Sequence, residues 1–370
     1  MVHRFDEIAI NSTAKKKPEE SDRFCYIGLE HIEPGTFEIS HWGADAAPVG
    51  EKLIMRKGDI LFGKRRAYQR KVAIAPFDGI FSAHGMVLRP KEEVICKEYF
   101  PFFLSSDQFM DTAIRISVGG LSPTINWKDL QQQEFDLPSL EEQRRLADKL
   151  WAAYELKEAY KKMIAATDEM VKAQFIEMFC STKTNYKKYK LNEIASILSG
   201  FAFKSEKYTD QGVRIIRIVN VQKGYIEDLL PQYYPSAEMI NLEKYLLKEN
   251  DILLSLTGNV GRVGLLTKNL LPAALNQRVA CIRPNENIIN NNFLFRVMNM
   301  DIFEKDCINN ASGSAQKNLS TEWLKNYEII TPPLNEQEQY IEIVNQAEKS
   351  KSELRQAIEK IDRVMKSLMQ

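Results

Sequence analysis

Two polar segments, each following a run of aliphatic residues, carry side chains suited to gripping another molecule. Gly63-Lys64-Arg65-Arg66-Ala67-Tyr68-Gln69-Arg70-Lys71 comes directly after Asp59-Ile60-Leu61-Phe62 and interleaves five cations with a tyrosine and a glutamine. Lys and Arg neutralise phosphate, Arg can grip guanine through two hydrogen bonds, and Gln can do the same for adenine. Lys64, Arg65, Arg66, Tyr68, Gln69, Arg70 and Lys71 are therefore candidate nucleic-acid contacts, with a solvated basic loop as the structural alternative. Later in the chain, Ser255-Leu256-Thr257-Gly258-Asn259-Val260-Gly261-Arg262-Val263-Gly264 follows Asp251-Ile252-Leu253-Leu254. It carries one cation, Arg262, with Thr257 and Asn259 set among glycines that would let backbone approach a ligand or form hairpin turns. Asn276-Gln277-Arg278 sets together three residue types capable of reading bases, with Gln277 and Arg278 as the candidate contacts, although capping and turn roles are open.

Two Gly/Ser loops add backbone amides and hydroxyls of the kind that contact phosphate. Ser117-Val118-Gly119-Gly120-Leu121-Ser122-Pro123 offers Ser117, Gly119 and Gly120; Ala311-Ser312-Gly313-Ser314-Ala315-Gln316-Lys317 offers Ser312, Ser314, Gln316 and Lys317. Such loops are equally good connectors. Each precedes an apparent helix cap, Asn126 or Ser320.

No catalytic pattern accompanies these segments. The chain has no Gly-x-x-x-x-Gly-Lys-Ser/Thr phosphate loop, no Gly-x-Ser-x-Gly elbow, no His-Glu-x-x-His helix and no Asn/Asp-Pro-Pro-Tyr/Phe run. Its five cysteines, Cys25, Cys96, Cys180, Cys281 and Cys307, form no Cys-x-x-Cys pair and are read as reduced, mostly packed thiols. His3, His31, His41 and His84 show no metal-ligand spacing. With 50 basic and 50 acidic side chains there is no global field to attract a polyanion. That argues against a free-standing, non-specific DNA binder and against an acidic DNA mimic. A neutral reader is compatible if its cations share one face or if partners supply grip. No stretch has the length and apolarity of a signal peptide or a membrane span, so the expected location is cytoplasmic.

The elements that position these segments are revealed by an internal repeat. Leu137-Pro138-Ser139-Leu140-Glu141-Glu142-Gln143 matches Thr331-Pro332-Pro333-Leu334-Asn335-Glu336-Gln337, and 332 − 138 gives an offset of 194 residues. Arg89-Pro90 pairs with Arg283-Pro284 at the same offset. Gly58-Asp59-Ile60-Leu61 pairs with Asn250-Asp251-Ile252-Leu253, and Glu7-Ile8-Ala9 with Glu193-Ile194-Ala195, at slightly shorter offsets. Two copies of one mixed α and β fold, differing in loop length, account for this. Short β-rich runs, Lys71–Ala75 and Val213–Ile218, are punctuated by Gly, Pro and Asn turns.

After each Leu-Pro or Pro-Pro step the chain becomes free of Gly and Pro and rich in helix formers, from Glu141 to about Phe179 and from Asn335 to Gln370. At 1.5 Å per residue each helix is roughly 55 Å long. Tyr340, Val344, Ala347, Leu354, Ile358, Ile361, Met365 and Leu368 form one seam, interrupted by Lys351. Leu146, Leu150, Ala153, Tyr160, Ile164, Thr167 and Val171 form the same seam in the first copy, interrupted by Lys157. The alternative is two unrelated amphipathic helices, each lying on its own domain. The expectation is that the two helices pair antiparallel, with pseudo-twofold symmetry and one globular unit at each end. The fold class is α+β: two similar mixed α/β domains joined by two long antiparallel coiled-coil helices. The boundaries are 1–138 and 181–332 for the domains, and 139–180 and 333–370 for the helices.

These motifs, in this order and twice over, resemble the specificity subunits of type I restriction-modification systems across nearly the whole chain. The resemblance is carried by Ser199-Gly200-Phe201-Ala202-Phe203-Lys204-Ser205, Asp251–Asn259, Leu275-Asn276-Gln277-Arg278-Val279 and the Pro-Pro-Leu-x-Glu-Gln step. In the first half it rests on Tyr26-Ile27-Gly28-Leu29-Glu30-His31-Ile32, the Lys64–Lys71 segment and Asn126-Trp127-Lys128-Asp129-Leu130. It implies that each domain is a target-recognition domain reading one half of a split, asymmetric double-stranded DNA site, with Lys204 joining the candidate contacts. The helix pair would set the gap between half-sites. Two methyltransferase subunits would dock along the helices, with Glu142, Gln143, Glu336 and Gln337 as docking candidates, and restriction/translocase subunits could add cleavage in defence against foreign DNA. S-adenosylmethionine and ATP/Mg would sit on those partners, leaving this chain without cofactor, metal or catalysis. The competing class is a non-DNA scaffold of two protein-binding domains on a coiled coil.

Overall fold

The computed structural model describes residues 1–180, 186–313 and 317–369. They divide into two compact units, Met1–Ile164 with Glu353–Gln370, and Ala165–Ser352. Each unit thus takes in part of both long helices, Leu140–Phe179 and Leu334–Leu368.

In the first unit, Val2–Arg4 pairs antiparallel with Glu134–Asp136, tying the chain start to the step before the long helix. A single helical turn, Phe5–Ile8, follows; the Arg4 N–H donates to the Glu7 carboxylate at 3.0 Å, satisfying one of the open donors at that helix start. Phe5 and Ile8, both fully buried, fix the turn to the core. Ala9–Ser12 then enters a four-stranded antiparallel sheet in the order 9–12, 86–90, 60–62, 72–74. The aliphatic Ile60-Leu61-Phe62 run is central in this sheet and wholly buried, as a strand covered on both faces must be. A second sheet runs 15–16, 52–55, 79–81, 26–27, its last pair parallel. Phe5, Phe103, Phe109, Phe135 and Trp127 form an aromatic cluster under the helices Phe100–Ser105 and Asp107–Arg115.

The second unit repeats this plan. Lys188–Lys190 pairs with Glu328–Ile330, Leu191–Ile194 forms the helical turn, and the Lys190 N–H donates to Glu193 at 2.7 Å. The equivalent sheet runs 195–199, 279–284, 252–255, 263–265. Its second sheet differs, running 233–234, 213–216, 273–275, but keeps the parallel pair. The turn 255–262 and the strand 252–255 are braced by Ser255, whose buried hydroxyl bonds the Asn259 carbonyl.

The motif pairs that revealed the repeat are structural devices. Arg89 grips Asp59 through two bonds of 2.7 and 2.8 Å, and Asp59 also accepts the Arg56 N–H, closing the turn before its strand. Arg283 grips Asp251 at 2.7 Å twice, and Asp251 accepts the Lys248 N–H. Each buried carboxylate is thus paired and hydrogen-bonded, the condition under which burial of charge is tolerated.

Within each unit the two helix segments pack together with opposite chain direction. In the first, Lys157 binds Asp362 at 2.6 Å, while Tyr154, one turn earlier, lies with Met365. In the second, Lys351 binds Asp168 at 2.5 Å, while Phe175 and Phe179 meet Tyr340. The two seam lysines therefore make the same bond by the repeat, and Lys351, only 6% exposed, is buried with its charge neutralised by Asp168 and Glu348. The seam reading missed a second stripe on the first helix. Ala147 and Tyr154 face the first unit's body, where Tyr154 Oη accepts the Phe37 N–H at 2.9 Å, and Phe175 and Phe179 face the second unit's core.

One smaller expectation needs correction. Ser320 caps its helix by accepting the Glu322 N–H at 3.2 Å, but the Asn126 side chain does not cap: its amide donates to Asp129 instead. Cys96, Cys281 and Cys307 are buried, whereas Cys25 is half-buried and Cys180 exposed.

Candidate nucleic-acid interface

In each unit the fold brings the basic or Gly/Thr/Asn loop against the Gly/Ser loop. Arg65 and Thr124 form a β-bridge, Val118 bridges Thr124, and the Ile125 N–H donates to the Lys64 carbonyl at 3.0 Å. In the second unit Thr257 bridges Asn318, Ser312 bridges Asn318, and the Leu319 N–H donates to the Leu256 carbonyl at 2.8 Å. Segments well separated in sequence become one surface by the same backbone bonds in both copies.

The first surface is cationic. Arg66 is exposed and left-handed (φ 57°), its N–H donating to Pro123 at 2.7 Å and its guanidinium lying against Ser122 Oγ at 3.2 Å. Tyr68 is 54% exposed, at the middle of a short turn Ala67–Gln69 that leaves Gln69 half-buried. Lys64 is half-buried, and burial, with a smaller effect of Lys15, lowers the pKa of its ammonium. Gly119 (φ 113°) supplies a backbone turn that other residues rarely adopt, Gly120 borders open space, and Ser117 is turned inward to the Ala113 carbonyl.

Two members of the basic run serve the unit itself. Arg70 binds Asp107 at 2.6 Å, and Lys71 donates to the Leu29 carbonyl at 2.6 Å. Asp107 also holds Lys366, and these bonds, led by Lys366, keep its carboxyl below the ordinary range. Arg65 and Arg66, which make no ion pair of this kind among the described residues, are the arginines of the run best placed to meet a ligand.

The second surface carries scattered cations among polar side chains rather than a basic run. Asn259 and Lys317 are exposed, and Lys317 donates to the Ile308 carbonyl at 3.4 Å. Arg262 is half-buried and donates to Gln222 at 2.7 Å, and Thr257 Oγ1 is shielded without a hydrogen-bond partner among the described residues. Gln277 and Arg278 are exposed at the turn between strands 273–275 and 279–284, where the Leu256 N–H donates to the Arg278 carbonyl at 3.0 Å. Phe201 accepts the Gln277 N–H at 2.9 Å, which sets the segment leading to exposed Lys204 beside this turn. Ser312 is exposed; Ser314 and Gln316 lie outside the described residues.

The docking candidates divide sharply. Gln143 and Gln337 are 1% and 0% exposed, which removes them as docking residues. The Gln143 carbonyl accepts the Cys96 N–H at 2.7 Å while its amide donates to Val94 and Pro138; Gln337 does the same with Asn290, Ile288 and Pro332. Glu142 pairs with Arg145 at 2.6 Å, and Glu336 accepts the Tyr186 hydroxyl. Sequence reasoning passed over Ser122 within the first Gly/Ser loop and missed Thr124, Gln222 and Asn318, none of which carries a local motif. Among the described residues no group of three or more His, Cys, Asp or Glu could hold a metal, and no helix is long and apolar enough to cross a membrane.

Residues 10–165 and 183–362 match the family model described as type I restriction modification DNA specificity domain. The MjaVIII specificity subunit of a type I restriction enzyme from Methanocaldococcus jannaschii is 25% identical over 332 residues, 84% of this chain and 74% of that one. The EcoAI specificity subunit from Escherichia coli is 31% identical over 156 residues, 41% of this chain and only 26% of its own length. In fold, the chain resembles the S subunit of a type I restriction-modification system from M. genitalium, with a TM-score of 0.58, 14% identity, and 100% and 94% of the two chains covered. It also resembles a chain from a structure addressing complex assembly and conformational transition of the type I R-M system, with a TM-score of 0.63, 18% identity, and 100% and 96% covered.

Proposed function

The chain belongs to the type I restriction-modification DNA specificity family, and from that premise we propose that it is the DNA-recognition subunit of such a system, each unit reading one half of a bipartite, asymmetric site. The observation that carries this reading is the recurrence of one loop pairing with two chemistries. Arg65 and Arg66 suit a site dominated by phosphate and guanine contacts; Asn259, Gln277 and Arg278 suit one dominated by hydrogen bonds to base edges. Two equal half-sites would not need two such different surfaces.

The paired long helices act in this reading as an antiparallel coiled-coil spacer that sets the number of unread base pairs and receives two methyltransferase subunits. Glu142 and Glu336, at the start of the helices, are the docking residues retained from the sequence. Methyl transfer with S-adenosylmethionine, and any ATP/Mg-dependent restriction, belongs to the partners, and this chain performs recognition without chemistry. The non-DNA scaffold reading has no observation in its favour.

Co-expression with a cognate modification subunit, followed by genome-wide adenine-methylation mapping, tests the proposal. The expected result is one interrupted motif with unequal halves. A palindromic motif, or methylation without any motif, refutes it.

A further inference from the structure

His84 occupies in the first unit the place that Arg278 occupies in the second, since 278 − 84 is again the repeat offset of 194. Both are exposed residues of the turn that leads into the long strand of the main sheet. The carbonyl of each accepts a backbone N–H from the polar loop: Arg65 to His84 at 3.1 Å, and Leu256 to Arg278 at 3.0 Å.

The turn holding His84 is tightly defined. Its backbone N–H lies against Ser82 Oγ at 3.3 Å, and the Gly85 N–H donates to the Ser82 carbonyl at 3.0 Å. A Cβ on Gly85 would sit 2.1 Å from the Phe81 ring and 2.9 Å from the Phe62 carbonyl, so the turn is pressed onto the core. Arg65 Nη1 is 3.4 Å from His84 Nε2. A guanidinium can only donate, so Nε2 accepts and the ring proton resides on Nδ1. The charged groups acting on the ring are Arg65, Lys64 and Lys52, opposed by Glu30; burial and the three cations lower its pKa, which favours the neutral ring in the free protein.

We infer that His84 is a DNA-contacting residue of the first reading site, the counterpart of Arg278, donating from its ring to an acceptor atom of the duplex. The inference rests on the DNA-reading function proposed above. Phosphates brought beside the ring offset the surrounding cations and raise its pKa in the complex. A proton is then taken up on binding. The added affinity is fully present below the free-state pKa and is lost as pH rises through the bound-state value.

The test uses the complete complex with its modification subunits and a duplex bearing the mapped site, with affinity measured at pH 6, 7 and 8. The wild type should tighten on acidification by about threefold to tenfold over that range, one proton giving at most tenfold per pH unit. His84→Gln should flatten that dependence, while His41→Gln, at another exposed histidine, should retain it. Equal weakening on duplexes with intact and scrambled first half-sites identifies a phosphate acceptor; weakening confined to the intact half-site identifies a base edge. Either supports the inference. A His84→Gln complex with wild-type affinity and pH dependence, on a wild type that discriminates the first half-site, overturns the assignment of His84 alone. A wild type that does not discriminate that half-site overturns the DNA-reading function as well.

Discussion

Replacing Gln337 by alanine should loosen the second unit from within. The side chain is fully buried and makes three bonds to backbone: from the Asn290 N–H at 2.7 Å, and to the Ile288 and Pro332 carbonyls at 3.2 and 2.7 Å. Each such bond is worth about 1 kcal/mol net, and the part-buried Asn290 N–H left without a partner costs up to about 2 kcal/mol more. Gln337→Ala should therefore destabilise its surroundings by about 3–5 kcal/mol. Gln337→Glu is the sharper variant, because its carboxylate can still accept from Asn290 but sets charge against two carbonyl oxygens. Hydrogen exchange of the peptide containing Asn290, read by mass spectrometry, is the assay, with protection falling by about a hundredfold or more for a destabilisation of this size. Gln143→Ala should do the same around Cys96, whose N–H it holds. Wild-type protection in these variants, together with failure to bind the modification subunits, would refute the argument and restore the glutamines as docking residues.

Neutralising Arg65 and Arg66 together should weaken DNA binding through the first unit and flatten the dependence of log affinity on log salt by about 0.9 for each phosphate no longer neutralised. Arg70→Gln should instead lower stability with little change in that slope, because Arg70 is held by Asp107. Shortening both long helices by one heptad should change the gap in the methylated motif and leave its halves intact; an unchanged gap would remove the spacer role. Asp107→Asn should destabilise the first unit near neutral pH. Because bonds from Lys366 and Arg70 depress the Asp107 carboxyl, its contribution is present above the unfolded pKa of about 3.9 and is lost as pH falls through the folded value. Urea midpoints of variant and wild type should therefore converge as pH falls below the unfolded value, and a constant difference would contradict the ion-pair account.

The repeat was legible because its signals are local and stereotyped: an aspartate before an aliphatic strand, Arg-Pro at a strand end, a Gly/Pro-free run. Helices and strands followed from these with small errors. What the sequence concealed was burial. Gln143 and Gln337 follow glutamates at the start of exposed-looking helices, and nothing local distinguishes a docking amide from one locked to three backbone groups. Arg70 and Lys71 read as equal members of a basic run, yet left-handed backbone at Arg66 and Arg70 turns successive cations in different directions. Tyr154 and Phe175 belong to a second stripe that a single-seam period cannot display, since the helix packs on a globular body as well as on another helix. His84 had a signal, the offset to Arg278, that only mattered once the turn's backbone bond to the loop was visible.

The bonds that recur between copies and the side chains that do not recur suggest how one fold can serve different DNA sequences. The carboxylate-arginine grips, the buried glutamines and the loop-to-loop bridges engage backbone or one another, so they fix where the loops run without specifying what the loops carry. Arg65 can therefore stand where Thr257 stands, and His84 where Arg278 stands, with the same main-chain frame beneath. On the proposed function, a substitution at such a position should alter what is presented to a duplex while leaving the frame's own bonds in place. Frame residues have no such freedom, because a change there exposes a buried donor or charge. On the proposed function, recognition is consequently separable from folding at the turn and loop positions, and inseparable from it one layer below.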